Sequence, residues 1–325
     1  MTALLDVENL KTHFFTRAGV VKAVDGVSFS LSEGEVLGLV GESGSGKTVA
    51  NFSILGLVDE PGRIVEGSIR FRGEELVGMP VGRMRKLRGH DIAMVFQDPM
   101  MTLTPVLRIE TQMVEAVLAH EKVSAKAARD RAVDVLARVG IPAPEDRIRA
   151  YPHQFSGGMR QRVAIAIALL HKPALILADE PTTALDVTIQ GQIIAEMQKL
   201  VSETGAAMIW VSHDLAVVET IADKIAVMYA GRIVEFGTAA EVIGAPAHPY
   251  TQGLLDSIPS RTTPGQRLNQ IPGMAPSVLH LPPGCAFAPR CRYADEACNA
   301  PPPVRDTGAG RWARCVRPLV LEAAQ

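Results

Sequence analysis

Apolar and polar positions fall into distinct patterns along this chain, and each pattern predicts an element. Leu4 to Leu10 alternates loosely and predicts an opening strand; Val27 to Leu31 predicts a second, ended by Ser32-Glu33-Gly34. Glu35 to Val40 is nearly unbroken apolar sequence, as in a buried parallel strand. Thr48 to Leu55 reads as a helix, and Gly67 to Gly73 as a strand closed by glycine. Ile92 to Phe96 is an apolar strand ending at Gln97-Asp98-Pro99. From 109 to 140 the spacing turns helical, with Val114, Val117 and Leu118, then Val133, Leu136 and Val139, before Gly140-Ile141-Pro142 stops it. No strand signal interrupts that block, so it reads as a helical insertion in an α/β core. Ser156 is a good N-cap for a helical run to Leu170. Ala174 to Ala178 is a buried strand, followed by an amphipathic helix to about Glu203. Ala207 to Ser212 is the next strand, then a short helix to about Ala222. Ile225–Tyr229 and Arg232–Phe236 read as a hairpin about Ala230-Gly231.

Composition narrows the class. With 325 residues, 47% apolar and 21% charged, the chain suits one large or two modest folded domains. A net charge of −2 gives no global electrostatic case for nucleic acid. No apolar run approaches the roughly 18–20 residues of a membrane span. The early apolar residues are interrupted by Asp6, Glu8 and Lys11, unlike a signal peptide. The expectation is a cytosolic protein whose membrane attachment, if any, comes through partners.

One stretch carries most of the chemistry. Gly41-Glu42-Ser43-Gly44-Ser45-Gly46-Lys47-Thr48 fits the phosphate-binding pattern G-x-x-x-x-G-K-[ST]. It lies between a predicted strand and a predicted helix that continues at Val49, which is the arrangement the mechanism needs. Glycines let successive N–H groups curl inward around a phosphate, and the helix N-terminus adds free donors and a favourable dipole. Lys47 brings charge to the β- and γ-phosphates, and the Thr48 hydroxyl suits Mg²⁺. The bland reading, a glycine-rich turn with a surface lysine, fails once the downstream strands are counted.

Other candidates stand at strand ends. Asp179-Glu180-Pro181 ends an unbroken apolar strand; Asp179 suits Mg²⁺, and Glu180 suits polarising a water. Gln97 ends another strand, and His213 stands at the same sheet edge as Asp179, within reach of phosphate. Ser156-Gly157-Gly158 opens a helix whose exposed N–H groups offer a second anion site, although a capped helix alone explains the pattern. Arg160 and Arg162 suit either the nucleotide or the helix surface. Phe15 precedes the phosphate loop by about 30 residues. It suits stacking on a base and, equally, a place in the core. The basic run Arg83, Arg85, Lys86, Arg88, His90 reads as a solvated face.

Taken in order, these residues resemble the nucleotide-binding subunit of an ABC transporter, over residues 3–240. The set comprises the loop at Gly41–Thr48, Gln97, Ser156-Gly157-Gly158, Leu175 to Glu180, Ala184-Leu185-Asp186 and His213. The resemblance implies a P-loop NTPase (RecA-like) α/β core with an N-terminal antiparallel β subdomain. It implies a helical subdomain at about 98–164 and a C-terminal extension over 241–325. It implies head-to-tail dimers in which each ATP is clamped between one subunit's phosphate loop and the other's signature. The signature here is Phe155-Ser156-Gly157-Gly158-Met159, departing from the commonest form in its first and last residues. By the same resemblance Gln97 senses Mg²⁺, Glu180 is the general base, His213 contacts the γ-phosphate, and Asp186 faces the partner subunit.

The tail resembles the branch that powers dipeptide and oligopeptide importers. His248 to Leu255, Ile271-Pro272-Gly273, Pro276, Pro283-Gly284-Cys285 and Arg290-Cys291 carry that likeness. Importers of nickel, glutathione and some saccharides share it. It implies two transmembrane permease subunits, an extracytoplasmic binding protein, and a place at the cytoplasmic face of the membrane. A soluble ABC ATPase of DNA repair or translation is the rival; such chains carry two cores or long insertions, and this one has one phosphate loop. A degenerate regulatory module would have lost Lys47, Asp179, Glu180 or His213, and all are present.

Cys285, Cys291, Cys298 and Cys315 are the only cysteines, spaced C-x5-C-x6-C-x16-C among prolines. The region has too few periodic apolar residues for a core of its own. Four thiols in such a segment suggest a metal staple, as structural zinc or an iron–sulfur cluster. Zinc sites usually show C-x2-C pairs, which are absent. The peptide-importer resemblance implies a 4Fe–4S cluster, with zinc or free thiols as the alternatives; nothing else in the sequence suggests redox chemistry, which favours a structural role.

Overall fold

The computed structural model describes residues 3–182, 187–258, 269–308 and 310–319. The chain divides into two compact units: Met1–Leu31, Val36–Val77 and Trp210–Gln325 in the first, Ser32–Glu35 and Gly78–Ile209 in the second.

The first unit opens with β1 (Leu5–Thr16) and β2 (Gly19–Leu31), followed by β3 (Val36–Val40), α1 (Lys47–Ile54), β4 (Gly62–Phe71) and β5 (Glu74–Glu75). β1 pairs antiparallel with β2, from Leu5 opposite Leu31 to Thr16 opposite Gly19, and on its other side with β4. Four strands form a sheet in the order β2-β1-β4-β5. Leu5, Val7, Leu10, Val24, Val27 and Ile69 are buried on it. The hydroxyls of Thr12 and Ser53 meet at 2.7 Å in the interior and tie α1 to β1. β1 and β2 are much longer than their alternation suggests. The register shifts three times, between Val7 and Leu10, between Leu10 and Lys11 and between Thr12 and His13, and Asn9 takes a φ of 47°. Each shift interrupts the period of two that sequence reading relies on.

The second unit holds α2 (Val81–Leu87), β6 (Ile92–Val95), α3 (Ile109–Leu118), α4 (Ala125–Arg138), α5 (Pro144–Arg147), α6 (Gly157–Leu169), β7 (Leu175–Asp179) and α7 (Val187–Thr204). Between β6 and β7 the described residues hold helices and turns alone, as the sequence suggests. α3 and α4 bury Ile109, Met113, Val117, Ala128, Ala132 and Leu136. β6 and β7 pair in parallel, Ile92 opposite Leu175. β7 is wholly buried, which explains its unbroken apolar sequence. β8 (Ala207–Ser212) begins in this unit and ends in the first.

The chain returns to the first unit with α8 (Leu215–Ile221), β9 (Lys224–Tyr229), β10 (Arg232–Thr238), α9 (Ala239–Gly244), α10 (Pro249–Asp256), β11 (Val304–Gly308) and β12 (Arg311–Arg314). β3 pairs in parallel with β9, and β9 turns into the antiparallel β10 at Ala230-Gly231. β12 adds to β10, and β11 to β12. The tail therefore does without a core of its own by extending an existing sheet. Glu235 on β10 is fully buried. It accepts the amides of Ala247 at 2.7 Å and His248 at 2.8 Å, and the Arg311 guanidinium at 3.0 Å. One carboxylate thus joins β10, the approach to α10, and β12.

Candidate nucleotide site

The loop after β3 runs from Gly41 into α1. Gly41, Gly44 and Gly46 have φ values of 155°, 78° and 104°. At Gly46 a Cβ would lie 2.1 Å from the carbonyl oxygen of Ala23, and at Gly41 2.2 Å from that of Met228. Both positions need glycine because the loop lies directly on β2 and β9. Gly231 donates its amide to the Ser45 carbonyl at 3.0 Å, fixing the loop from below. Lys47 curls back over the loop and donates to the carbonyls of Gly41 at 2.7 Å and Glu42 at 3.0 Å.

This cradle fits a phosphate. The Ser45 hydroxyl is buried without a hydrogen-bond partner, a group that an anionic oxygen would satisfy. α1 follows an N-cap glycine, Gly46, that makes no side-chain cap, and a helix N-terminus of this kind favours an anion. Ser43, Gly44 and Thr48 are exposed on the open side, and Val49 is half-buried behind them.

Phe15 is 40% exposed, and the Arg63 guanidinium lies 4.3 Å from its ring centroid. A Cβ at Gly62 would strike the neighbouring Phe14 ring at 2.5 Å. Of the two aromatics Phe15 presents its ring at the surface, already held by a cation. His213 is exposed where β8 ends, and Asp214 after it caps α8 through the amide of Ala216.

In the second unit the ends of β6 and β7 bring Gln97 and Glu180 together. The Gln97 side-chain amide donates to a Glu180 carboxylate oxygen at 3.3 Å. Asp179 is 5% exposed. Glu180 takes a φ of 46°, a left-handed conformation that costs energy for a residue with a side chain. Ser156 accepts the Met159 amide at 3.3 Å and caps α6. A Cβ at Gly157 would meet nothing, whereas one at Gly158 would press Ile189 at 3.0 Å. Arg160 bonds the Pro152 carbonyl and Arg162 the Gly140 carbonyl, each at 2.9 Å, so both serve the helix surface. Asp186, with Ala184 and Leu185, lies outside the described residues.

The four cysteines line one cavity of about 180 Å³, together with His248, Phe287 and Tyr293. All four are free thiols, and Cys298 is buried. Burial, and then the neighbouring thiols, push the Cys285 and Cys291 thiols up and Cys315 to about 11. Thiolates at these positions need a compensating cation. Among the described residues no three His, Cys, Asp or Glu side chains converge on a point where one metal ion would sit.

One feature of the loop has no counterpart in sequence reasoning. The Glu42 amide donates to the Tyr250 hydroxyl at 2.8 Å, and the Glu42 carboxylate takes both Nη atoms of Arg290, at 2.6 and 2.8 Å. Arg290 is 248 positions away in the chain. The only sequence signal is that the loop's first variable residue is an acid.

Residues 24–183 match the family described as ABC transporter, and residues 234–298 the one described as Oligopeptide/dipeptide transporter, C-terminal region. The chain is 46% identical to the oligopeptide transport ATP-binding protein OppD of Escherichia coli, over 98% of this chain and 94% of that one. It is 47% identical to the dipeptide transport ATP-binding protein DppD of Haemophilus influenzae, over 98% and 96%. Among solved structures, the ATP-binding cassette MJ0796, dimeric with ADP and Pi, superposes with a TM-score of 0.66 at 27% identity. It covers 72% of this chain and 98% of that one. The cassette cbiO1 of Clostridium perfringens gives a TM-score of 0.64 at 27% identity, over 75% and 92%.

Proposed function

The chain belongs to the ABC transporter ATP-binding proteins, and from that premise we propose that it is the ATP-hydrolysing subunit energising an importer of dipeptides or oligopeptides. The observation that carries the reading is the glycine cradle at Gly41–Thr48, with Lys47 folded over it and the Ser45 hydroxyl unpartnered. Such a cradle suits the phosphates of ATP, and the helix N-terminus adds to their binding.

Roles follow residue by residue. Lys47 holds the β- and γ-phosphates, with Gly41 through Val49 wrapping them. Thr48, Gln97 and Asp179 are assigned to Mg²⁺, which supplies charge neutralisation at the phosphates when bound. Glu180 orients the attacking water and accepts its proton, and the Gln97 contact holds that carboxylate in place. His213 steadies the γ-phosphate, and Phe15 stacks on the base. Ser156, Gly157 and Gly158 close on the nucleotide of a second ATPase subunit, a paralogue or a second copy. No helix among the described residues is long and apolar enough to cross a membrane. The family resemblance assigns it two permease subunits, supplied with substrate by an extracytoplasmic binding protein, and a place at the cytoplasmic face of the membrane. Nickel, glutathione or a saccharide is the alternative cargo.

The donor set of the tail fits a 4Fe–4S cluster. Four thiols line one cavity, a donor set that suits a cluster and, as the alternative, zinc. A cluster takes its thiolates at separate corners and would supply positive charge to sulfurs whose partial burial disfavours the thiolate. Cys285, Cys291, Cys298 and Cys315 would hold it. Iron and sulfide content of protein purified without oxygen decides between cluster and zinc.

Transport is tested by uptake of a labelled dipeptide in cells lacking their own peptide importers but supplied with this chain and its permeases. Uptake that vanishes with Glu180→Gln supports the reading. Uptake of nickel but no peptide would replace the cargo and keep the ATPase.

A further inference from the structure

The tail and the phosphate loop are joined by one side chain. Arg290 is 7% exposed although charged. It spends all three guanidinium nitrogens: Nη1 and Nη2 on the Glu42 carboxylate and Nε on the Pro272 carbonyl at 2.9 Å. Nη1 also reaches the Tyr229 hydroxyl at 3.3 Å. A forked pair of this kind fixes distance and orientation together. Glu42 is the second residue of the loop, and Lys47 donates to its carbonyl at 3.0 Å. A shift of the Arg290 head is therefore a shift of the loop's backbone.

The other end of Arg290 lies among the cysteines. It closes the short turn Ala288–Arg290 and immediately precedes Cys291. The Ala288 amide donates to the Cys285 carbonyl at 3.0 Å, and the Cys291 amide to the Ala288 carbonyl at 3.2 Å. The segment from Cys285 to Cys291 is thus one compact turn with a thiol at each end. Phe287 lies within it, lines the thiol cavity, and packs its ring 5.3 Å from those of Tyr229 and Tyr250. Tyr250 in turn accepts the Glu42 amide. Two routes, one polar and one aromatic, lead from the thiols to the same loop residue.

We propose that Arg290 is a positioning residue for the phosphate loop, and that through it the state of the four cysteines sets how tightly the protein holds ATP. The second half rests on the reading of the thiols as ligands of a metal group; the first half does not. With the thiols engaged, the Cys285–Cys291 turn is fixed and Arg290 holds Glu42. With them released, the turn loosens, the fork is lost, and the loop samples conformations that do not bind phosphate. Apparent affinity then falls by the fraction of time the loop is competent.

The test is ATP affinity of the full chain, read by equilibrium titration with a fluorescent ATP analogue, before and after chelator strips the metal. Arg290→Met and Glu42→Gln should each weaken binding about tenfold in loaded protein, with steady-state loss falling on KM more than on kcat. Arg290→Lys should recover part of it, since an ammonium keeps the charge but not the fork. Stripping should bring the wild type down to the Arg290→Met value and leave that variant where it is. Melting temperature is read alongside, and if Arg290→Met does not fold, Glu42→Gln carries the same comparison. Wild-type affinity in both variants overturns the positioning role. Equal loss on stripping, in wild type and variant alike, overturns the coupling. Protein that purifies without metal overturns the ligand reading and the coupling, while the variants' affinities still decide the positioning role.

Discussion

Gln97 and Glu180, 83 residues apart, meet where two parallel strands end, with the amide of one donating to the carboxylate of the other at 3.3 Å. The strained backbone of Glu180 turns its side chain off the strand, and the amide holds it there. If Glu180 is the general base, this restraint would spare it reorganisation before it takes a proton from water. Glu180→Gln should bind ATP and lose turnover by roughly 10²–10⁴-fold, the usual share of a general base. Phosphate release by purified protein checks it, and near-normal turnover removes Glu180 from the role.

The glycines of the loop separate two costs. Gly44 has positive φ, but a Cβ there meets nothing, whereas at Gly46 it meets a carbonyl at 2.1 Å. Gly44→Ala should cost about 1–2 kcal/mol of backbone strain and still bind nucleotide. Gly46→Ala should abolish binding, because the loop must leave β2 to make room. Calorimetric titration of ATP on both variants reads the contrast. Equal affinities would mean that the loop's seat on β2 is unimportant.

The helical unit has an acid-sensitive joint. Glu121 accepts from both Nη atoms of Arg131, at 2.5 and 2.7 Å, and lies 2.9 Å from Nδ1 of His171. The Arg131 bonds first, and His171 after them, hold its carboxyl at about 2, against an ordinary 4.5. A depressed carboxyl stabilises the fold fully above its unfolded value and loses that contribution as pH falls toward its folded value. Thermal melts should show Glu121→Gln below the wild type at neutral pH, with the gap closing between about 4.5 and 2. A gap constant across that window assigns the pair no net stability.

The buried pair Arg311–Glu235 pins the terminal hairpin. Glu235 is fully buried and Arg311 is 6% exposed, so removing the cation leaves an uncompensated charge inside. Arg311→Met should destabilise by about 3–5 kcal/mol in urea unfolding. Replacing both partners with apolar residues should not recover that loss, since the Ala247 and His248 amides would then be buried without an acceptor.

The chemistry-bearing stretches of this chain are readable from its residues because each needs particular side chains at fixed local spacing. The Gly41–Thr48 loop, the buried run ending at Asp179-Glu180 and the Ser156 cap are all short-range patterns, and each lies where its neighbours suggest. The long reach of β1 and β2 is hidden because bulges break their alternation. β11 is hidden for another reason. Its residues are exposed or half-buried, so no apolar face marks it. The Glu42–Arg290 contact could not be read at all, since nothing local to either residue requires the other.

The hairpin of β11 and β12 also moves the border of the sheet from β10 to β11, a short strand whose exposed Arg305 and Asp306 make a poorer template for a neighbouring chain. β10 alone would present a row of unsatisfied amides and carbonyls, open to a strand from a neighbouring chain. β12 pairs with it at Glu235 and Phe236, and Trp312 stacks on Phe236 at 5.9 Å. A chain cut before the tail would therefore lose more than its cysteines. It would expose a sticky border, and we expect such a truncated cassette to collect in inclusion bodies where the whole chain stays in solution.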